Sequence, residues 1–235
     1  MSAYITLREQ VLEANVAIVR AGLVVLTFGN VSGADRDAGV VAIKPSGIPY
    51  ESLSVDAIVV LDLESGAVVA GEPRPSSDTP THLVLYRAFA GVGGIVHTHS
   101  PYATAWAQAH RKLPCLGTTH ADHFDGPVPV TRPLRHEEIE GDYERLTGEV
   151  IVEELARLDL DPLARPAVLV ASHGPFAWGA DVAAAVENAV ALETVAASAL
   201  RTELLRPDVE PIGDDLRERH FRRKHGPAAY YGQHR

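Results

Sequence analysis

The sequence predicts a three-layer α/β/α protein around a central, mostly antiparallel sheet. Short β-branched runs alternate with helical patterns along most of its length, the opening segment is an amphipathic helix, and a Glu64-Ser65-Gly66 turn joins two runs as a hairpin. Strands that alternate with helices need cover on both faces, and a hairpin demands antiparallel neighbours.

In residues 6–21, Leu7, Val11, Leu12, Val16 and Val19 recur at helical spacing, and Gly22 follows as a stop. From 23 to 63 the runs LVVLTFGNVSG, GVVAIKPSGI and AIVVLDL, punctuated by Gly, Asn, Ser and Pro, predict strands joined by tight turns. The hairpin at Glu64-Ser65-Gly66 leads into Ala67-Val68-Val69. Pro80 opens a helix to Phe89, since Pro suits a first helical turn. Ile95 to His99 forms the next strand, and Pro101 to His110 the next helix. Thr118 to Asp122 ends a further short strand. Residues 136–158 and 181–205 are predicted helices, with Asp181 capping the second, and Ala167 to Ala171 is a buried strand between them. From Pro207 the chain turns polar and charged and predicts an irregular end, although the adjacent Tyr230 and Tyr231 argue for order there.

Composition narrows the function. With 235 residues, 46% of them apolar, residues 1–235 can bury one core as a single domain. The net charge, 21 − 31 = −10, disfavours binding to nucleic-acid phosphates. No run approaches the length of a membrane span and no secretory signal is visible, so a cytoplasmic protein acting on a small molecule is expected. The lone Cys115 leaves His and carboxylates as the available metal ligands.

His97 and His99 stand two apart at a strand end, so both imidazoles share one face. His173 follows another buried strand and could reach the same place. Three His with an open fourth position is how a catalytic zinc or similar divalent ion is held. A single strand-end His reads as structural; the His-X-His pair plus a third is what points to metal. Two loops suit an anion: Lys44-Pro45-Ser46-Gly47 after a strand, and Pro75-Ser76-Ser77-Asp78-Thr79 before a helix whose N-terminal amides favour phosphate. Each alone reads more readily as an ordinary turn, and Gly29-Asn30 is equally ambiguous. Asp122 and Tyr231 carry no assignment from spacing.

Taken together, QVLEAN (10–15), TFGNVS (27–32), IKPSG (43–47), PSSDTPTH (75–82), GGIVHTHS (93–100), GTTHAD (117–122), SHGPFAWG (172–179) and RKHGPAAYYGQ (223–233) resemble the class II aldolase/adducin family, and within it the pentulose-phosphate epimerases. The resemblance implies a class II aldolase-like fold and a zinc ion on His97, His99 and His173, with Asp78 as a carboxylate ligand. It implies that Gly29, Asn30, Ser46, Gly47, Ser76 and Ser77 hold the substrate phosphate, with Lys44 nearby. It gives acid/base duties to Asp122 and Tyr231, supplied by a neighbouring subunit of a homotetramer, with Thr118, His220 and Arg223 placing the substrate at that interface. The implied reaction is a retro-aldol cleavage and re-addition that inverts C4 of a sugar phosphate, as in arabinose breakdown; an aldolase that releases its fragments is the alternative. His123 and Asp125 depart from the family pattern beside Asp122 and add titratable groups there. His234 and Arg235 extend past the shared tail and receive no role.

Overall fold

The computed structural model describes residues 4–225 and 229–231; His234, Arg235 and parts of the 223–233 motif lie outside them. Helix α1 (Ile5–Arg20) ends as its sequence predicts. Gly22 takes the left-handed conformation, and the Gly22 and Leu23 amides donate to the Val19 and Ile18 carbonyls, closing the last turn.

Strands β1 (Gly29–Asp35), β2 (Val40–Ile43), β3 (Val59–Asp62), β4 (Val68–Ala70), β5 (Gly94–Thr98), β6 (Ala167–Leu169) and β7 (Pro175–Gly179) form a seven-stranded sheet in the order β4-β3-β2-β1-β5-β7-β6. Every pairing of these strands is antiparallel. Alternate residues supply opposite cores, as the two-residue strand period requires. Ala42, Val96 and Ala177 face α1, α3 (Pro101–Gln108) and α7 (Val182–Leu205). Val41, Ile95, Phe176 and Trp178 face α2 (Thr79–Ala88) and α6 (Tyr143–Arg157). Burial on both faces explains why β2, β3 and β6 read as continuous apolar runs. Helix α7 is long and apolar enough to cross a membrane, contrary to the expectation that no run approaches that length. Its apolar stripe of Ala185, Ala189, Leu192, Ala196 and Ala199 is buried against the sheet.

Four local expectations are corrected. The run 23–28 is not strand: Val25 and Leu26 face solvent, and Leu26 adopts φ 56°. Thr118–Ala121 is a short helix, α4, rather than a strand end, with Asp122 closing it. The 136–158 segment is broken at Gly141-Asp142 into α5 (His136–Glu140) and α6, because Gly141 leaves helical geometry. The polar tail forms a helix, α8 (Asp214–His225), which packs on α4.

Candidate metal centre and acid/base cluster

His97 lies near the C-terminal end of β5, directly opposite Asn30 of β1 and Phe176 of β7. His99 follows just beyond the strand on the same face, and His173 comes from the β6–β7 turn. Two glycines let these segments close. A Cβ at Gly174 would stand 2.8 Å from the Thr98 carbonyl oxygen, and one at Gly29, with φ 135°, would stand 2.9 Å from that of His97. Only glycine permits either approach.

The three rings are brought together with centroids 4.8–5.0 Å apart, and one ligand nitrogen from each lies within 4.8 Å of the others. The Nδ1–H of His97 donates to the Pro175 carbonyl at 3.0 Å, because a carbonyl can only accept, so the His97 Nε2 presents a bare lone pair. It sits 3.2 Å from His99 Nε2. Two nitrogens on one tetrahedral zinc would be about 3.3 Å apart. The buried Nδ1 of His173 has no hydrogen-bond partner among the described residues. Burial pushes the His97 imidazole down to about 3 against the pull of Asp78, and burial likewise lowers His99 and His173. Rings that stay neutral at neutral pH and bring one ligand nitrogen each to a common point fit a divalent cation.

Asp78 stands beside this trio at the start of α2. Burial alone would raise its pKa; the imidazoles of His97, His82 and His173 and a 2.6 Å hydrogen bond from Asn30 Nδ2 outweigh that and hold it below the usual carboxylate range. Asn30 Nδ2 also lies 3.1 Å from Ser76 Oγ. The two anion loops are stitched together: Ser46 N donates to Arg74 O at 2.9 Å, and Ser76 N to Lys44 O at 3.0 Å. Lys44 is buried, with Nζ donating to the carbonyls of Pro45 and Ile48 and lying 4.8 Å from the centre of the Tyr50 ring. A cleft of about 290 Å³ is lined by Gly29, Asn30, Lys44, Ser46 and Gly47, by Ser76, Ser77 and Asp78, and by the three His. One cleft therefore gathers the phosphate and metal candidates.

The remaining candidates form a second cluster and do not line that cleft. The buried Asp122 carboxylate accepts two hydrogen bonds from Arg223, at 2.9 and 2.6 Å, and one from His220 Nδ1 at 3.1 Å. Burial pushes its pKa up, but Arg223 and His220 prevail and hold it low. The Arg223 guanidinium lies 4.1 Å from the centre of the Tyr231 ring, and the Tyr230 and Tyr231 amides donate back to the Arg223 carbonyl. Thr118 opens α4 beside them. His123 and Asp125 point elsewhere: His123 accepts from Lys224 at 3.2 Å, and Asp125 pairs with Arg217. Both fasten α8 to the body.

Three residues beside the trio were not anticipated. Phe28, half exposed at the cleft mouth, stacks on His99 at 6.0 Å. Tyr143, at the start of α6, has its ring 6.3 Å from that of His173. Neither carries a spacing signal. His82 could have been found, because it follows Asp78 by four residues and so shares its helix face.

Residues 9–200 match the model of the class II aldolase and adducin N-terminal domain. The chain is 54% identical over 227 residues to proteins named L-ribulose-5-phosphate 4-epimerase UlaF from Salmonella paratyphi A and Salmonella typhi, covering 97% of this chain and 98% of each relative. Among solved structures, an L-fuculose 1-phosphate aldolase superposes with a TM-score of 0.77 at 26% identity, covering 94% of this chain and 95% of that one. The L-fuculose-1-phosphate aldolase of Thermus thermophilus, at 24% identity and TM-score 0.67, shares the fold over 86% of this chain and 97% of its own.

Proposed function

The chain belongs to the class II aldolase and adducin family, and on that premise we propose that it is a metal-dependent L-ribulose-5-phosphate 4-epimerase. In this reading residues 1–235 act as one catalytic domain in the cytoplasm. The observation that carries the reading is the 54% identity to named epimerases across 97% of the chain.

His97, His99, His173 and Asp78 would hold a divalent ion, zinc by preference for three imidazoles and a carboxylate. Bound there, the ion supplies Lewis-acid stabilisation of negative charge developing at the substrate's C2 oxygen. The rest belongs to this chain's own groups. The Ser46-Gly47 and Ser76-Ser77 loops, with Asn30 and Lys44, bind the 5-phosphate, aided by the amides at the start of α2. One of Asp122 and Tyr231 takes the C4 hydroxyl proton, and the C3–C4 electron pair passes into the departing enolate. Glycolaldehyde phosphate, tethered by its phosphate, turns its other face. The C3–C4 bond re-forms, and the second group protonates the new C4 oxygen. Inversion needs an acid/base on each side of the aldehyde, which gives both residues work.

The two clusters stand apart on one chain, and this supports a homotetramer in which Asp122 and Tyr231 of a partner subunit complete each cleft, with Thr118, His220 and Arg223 beside them.

A second reading, a sugar-phosphate aldolase, draws on the superposition with the fuculose-phosphate enzyme. Incubating metal-analysed protein with L-ribulose 5-phosphate separates the two. We expect D-xylulose 5-phosphate without free glycolaldehyde phosphate, lost on chelation and restored by zinc. Fragments without epimer would make the protein an aldolase.

A further inference from the structure

On its phosphate side the cleft is built from three pieces of chain: Gly29-Asn30 at the start of β1, the 44–47 loop and the 76–78 loop. Two of the joins between these pieces are direct. Asn30 Nδ2 donates to Ser76 Oγ at 3.1 Å, and Ser76 N donates to Lys44 O at 3.0 Å. A further join, between Gly29 and the 44–47 loop, runs through a side chain that the proposed reaction leaves unused.

That side chain is Tyr50, which opens a single 3-10 turn (Tyr50–Ser52) just past the loop and is 8% exposed. Its hydroxyl donates to the Gly29 carbonyl at 2.7 Å, a direction fixed because a carbonyl can only accept. The centre of its ring lies 4.8 Å from Lys44 Nζ.

The Lys44 ammonium has need of such a neighbour. It is buried, and burial lowers its pKa by disfavouring the charged form. Nζ donates to the carbonyls of Pro45 and Ile48 at 3.2 and 3.0 Å, so the side chain closes its own loop around Ser46-Gly47. An ammonium has three protons, and the third remains for an anion in the cleft. The electron-rich face of Tyr50 favours the positive charge without consuming a proton. One residue thus touches both Gly29 and the lysine that encloses Ser46-Gly47.

We propose that Tyr50 is a positioning residue for the phosphate cradle, its hydroxyl setting the Gly29 segment and its ring face holding the charged Lys44 for a phosphate monoester. The proposal rests on the reading of this cleft as the phosphate site.

Two measurements on the full chain test it. The first is calorimetric titration of metal-stripped protein with inorganic phosphate. Tyr50→Phe removes the bond to Gly29 and keeps the ring, so phosphate binding should weaken roughly 2–10-fold. Tyr50→Leu removes the ring as well and should lose roughly a further 2–30-fold. In a Lys44→Gln background the Phe and Leu variants should bind alike, since no cation is left for the ring to hold. Should the Leu variant fail to fold, Tyr50→Met, which fills more of the ring's volume, takes its place. Phosphate affinity unchanged in the Phe and Leu variants overturns the proposal, and so does a Phe–Leu difference that survives in the Lys44→Gln background, which would make the ring mere packing. The second measurement is kinetic. With metal restored, KM for L-ribulose 5-phosphate should rise in Tyr50→Phe while kcat stays within about twofold, because the phosphate is held equally in ground and transition states. A loss confined to kcat overturns the positioning role. Wild-type protein that binds no phosphate, or binds it no better than Lys44→Gln does, would instead sink the phosphate reading of the cleft and the proposal with it.

Discussion

Asp122 is a buried carboxylate that accepts from two basic side chains, and this pairing sets the sign of its response to pH. Burial works to raise its pKa, while Arg223 and His220 more than compensate. A carboxyl with a folded pKa below its unfolded value of about 3.9 contributes stability above that pH and loses it as the pH falls through the lower folded value. The contact between α4 and α8 should accordingly persist through mildly acidic buffers. Replacing Arg223 with Gln removes the charge but keeps a donor, so Asp122 should protonate at higher pH. The acid limb of kcat/KM should move upward, and an unmoved limb would detach Arg223 from the ionisation of Asp122. Tyr231→Phe should slow epimerisation with bound metal and assembly unchanged; an unaltered rate would remove the phenol from the mechanism. At this scale the metal candidates were legible, since a strand's period of two puts His97 and His99 on one face from sequence alone. Asp122 and Tyr231 were not, because only resemblance marked them: one closes a four-residue helix, the other lies beyond the last one.

Elements were readable where apolar periodicity formed them and unreadable where polar contacts did. Helices α1 and α7 bury regular stripes and were anticipated almost to their ends. Helix α8 has no buried residue; His220, Arg223, Lys224 and His225 hold it to α4 and α7 through hydrogen bonds and ion pairs that no hydrophobic pattern reveals. Strand β7 went unrecognised because Pro175 opens it and Gly179 ends it, while Phe176 and Trp178 fill one core and Ala177 the other. The run 23–28 misled in the opposite direction, with β-branched residues spent on an exposed loop that ends in Phe28. The β6–β7 turn carries a sharper test. Gly174→Ala drives a methyl toward the Thr98 carbonyl, and relieving it must shift the turn that bears His173. We expect a loss of about 1–3 kcal/mol in thermal or denaturant unfolding, as for other overpacked sites, together with a clear fall in bound metal. Wild-type metal content in the folded variant would separate the turn from the metal centre.

For the whole molecule, the decisive fact is that the candidate residues fall in two clusters, and that Asp122, Arg223 and Tyr231 do not line the cleft that holds the three His. The His cleft sits at the ends of β1 and β5 with the two anion loops, whereas Asp122, Arg223 and Tyr231 gather where α4 meets α8. If catalysis needs both, either the chain closes on itself or a second copy brings its α4–α8 corner to the first copy's cleft. Mixing two inactive variants distinguishes these outcomes. His97→Ala should destroy the metal centre and spare the acid/base cluster; Asp122→Asn should do the reverse. Co-refolded in equal amounts, tetramers with shared sites would place an intact cleft against an intact Asp122 at about a quarter of their sites, the random pairing expected in a symmetric ring. Activity should therefore reappear at about a quarter of the wild-type level in hybrids confirmed by intact mass, although neither parent has any. A chain that completes its own site recovers nothing, because each subunit still carries one broken half. Confirmed hybrids without activity would thus refute the shared site while leaving the metal centre and the reaction to stand on their own tests.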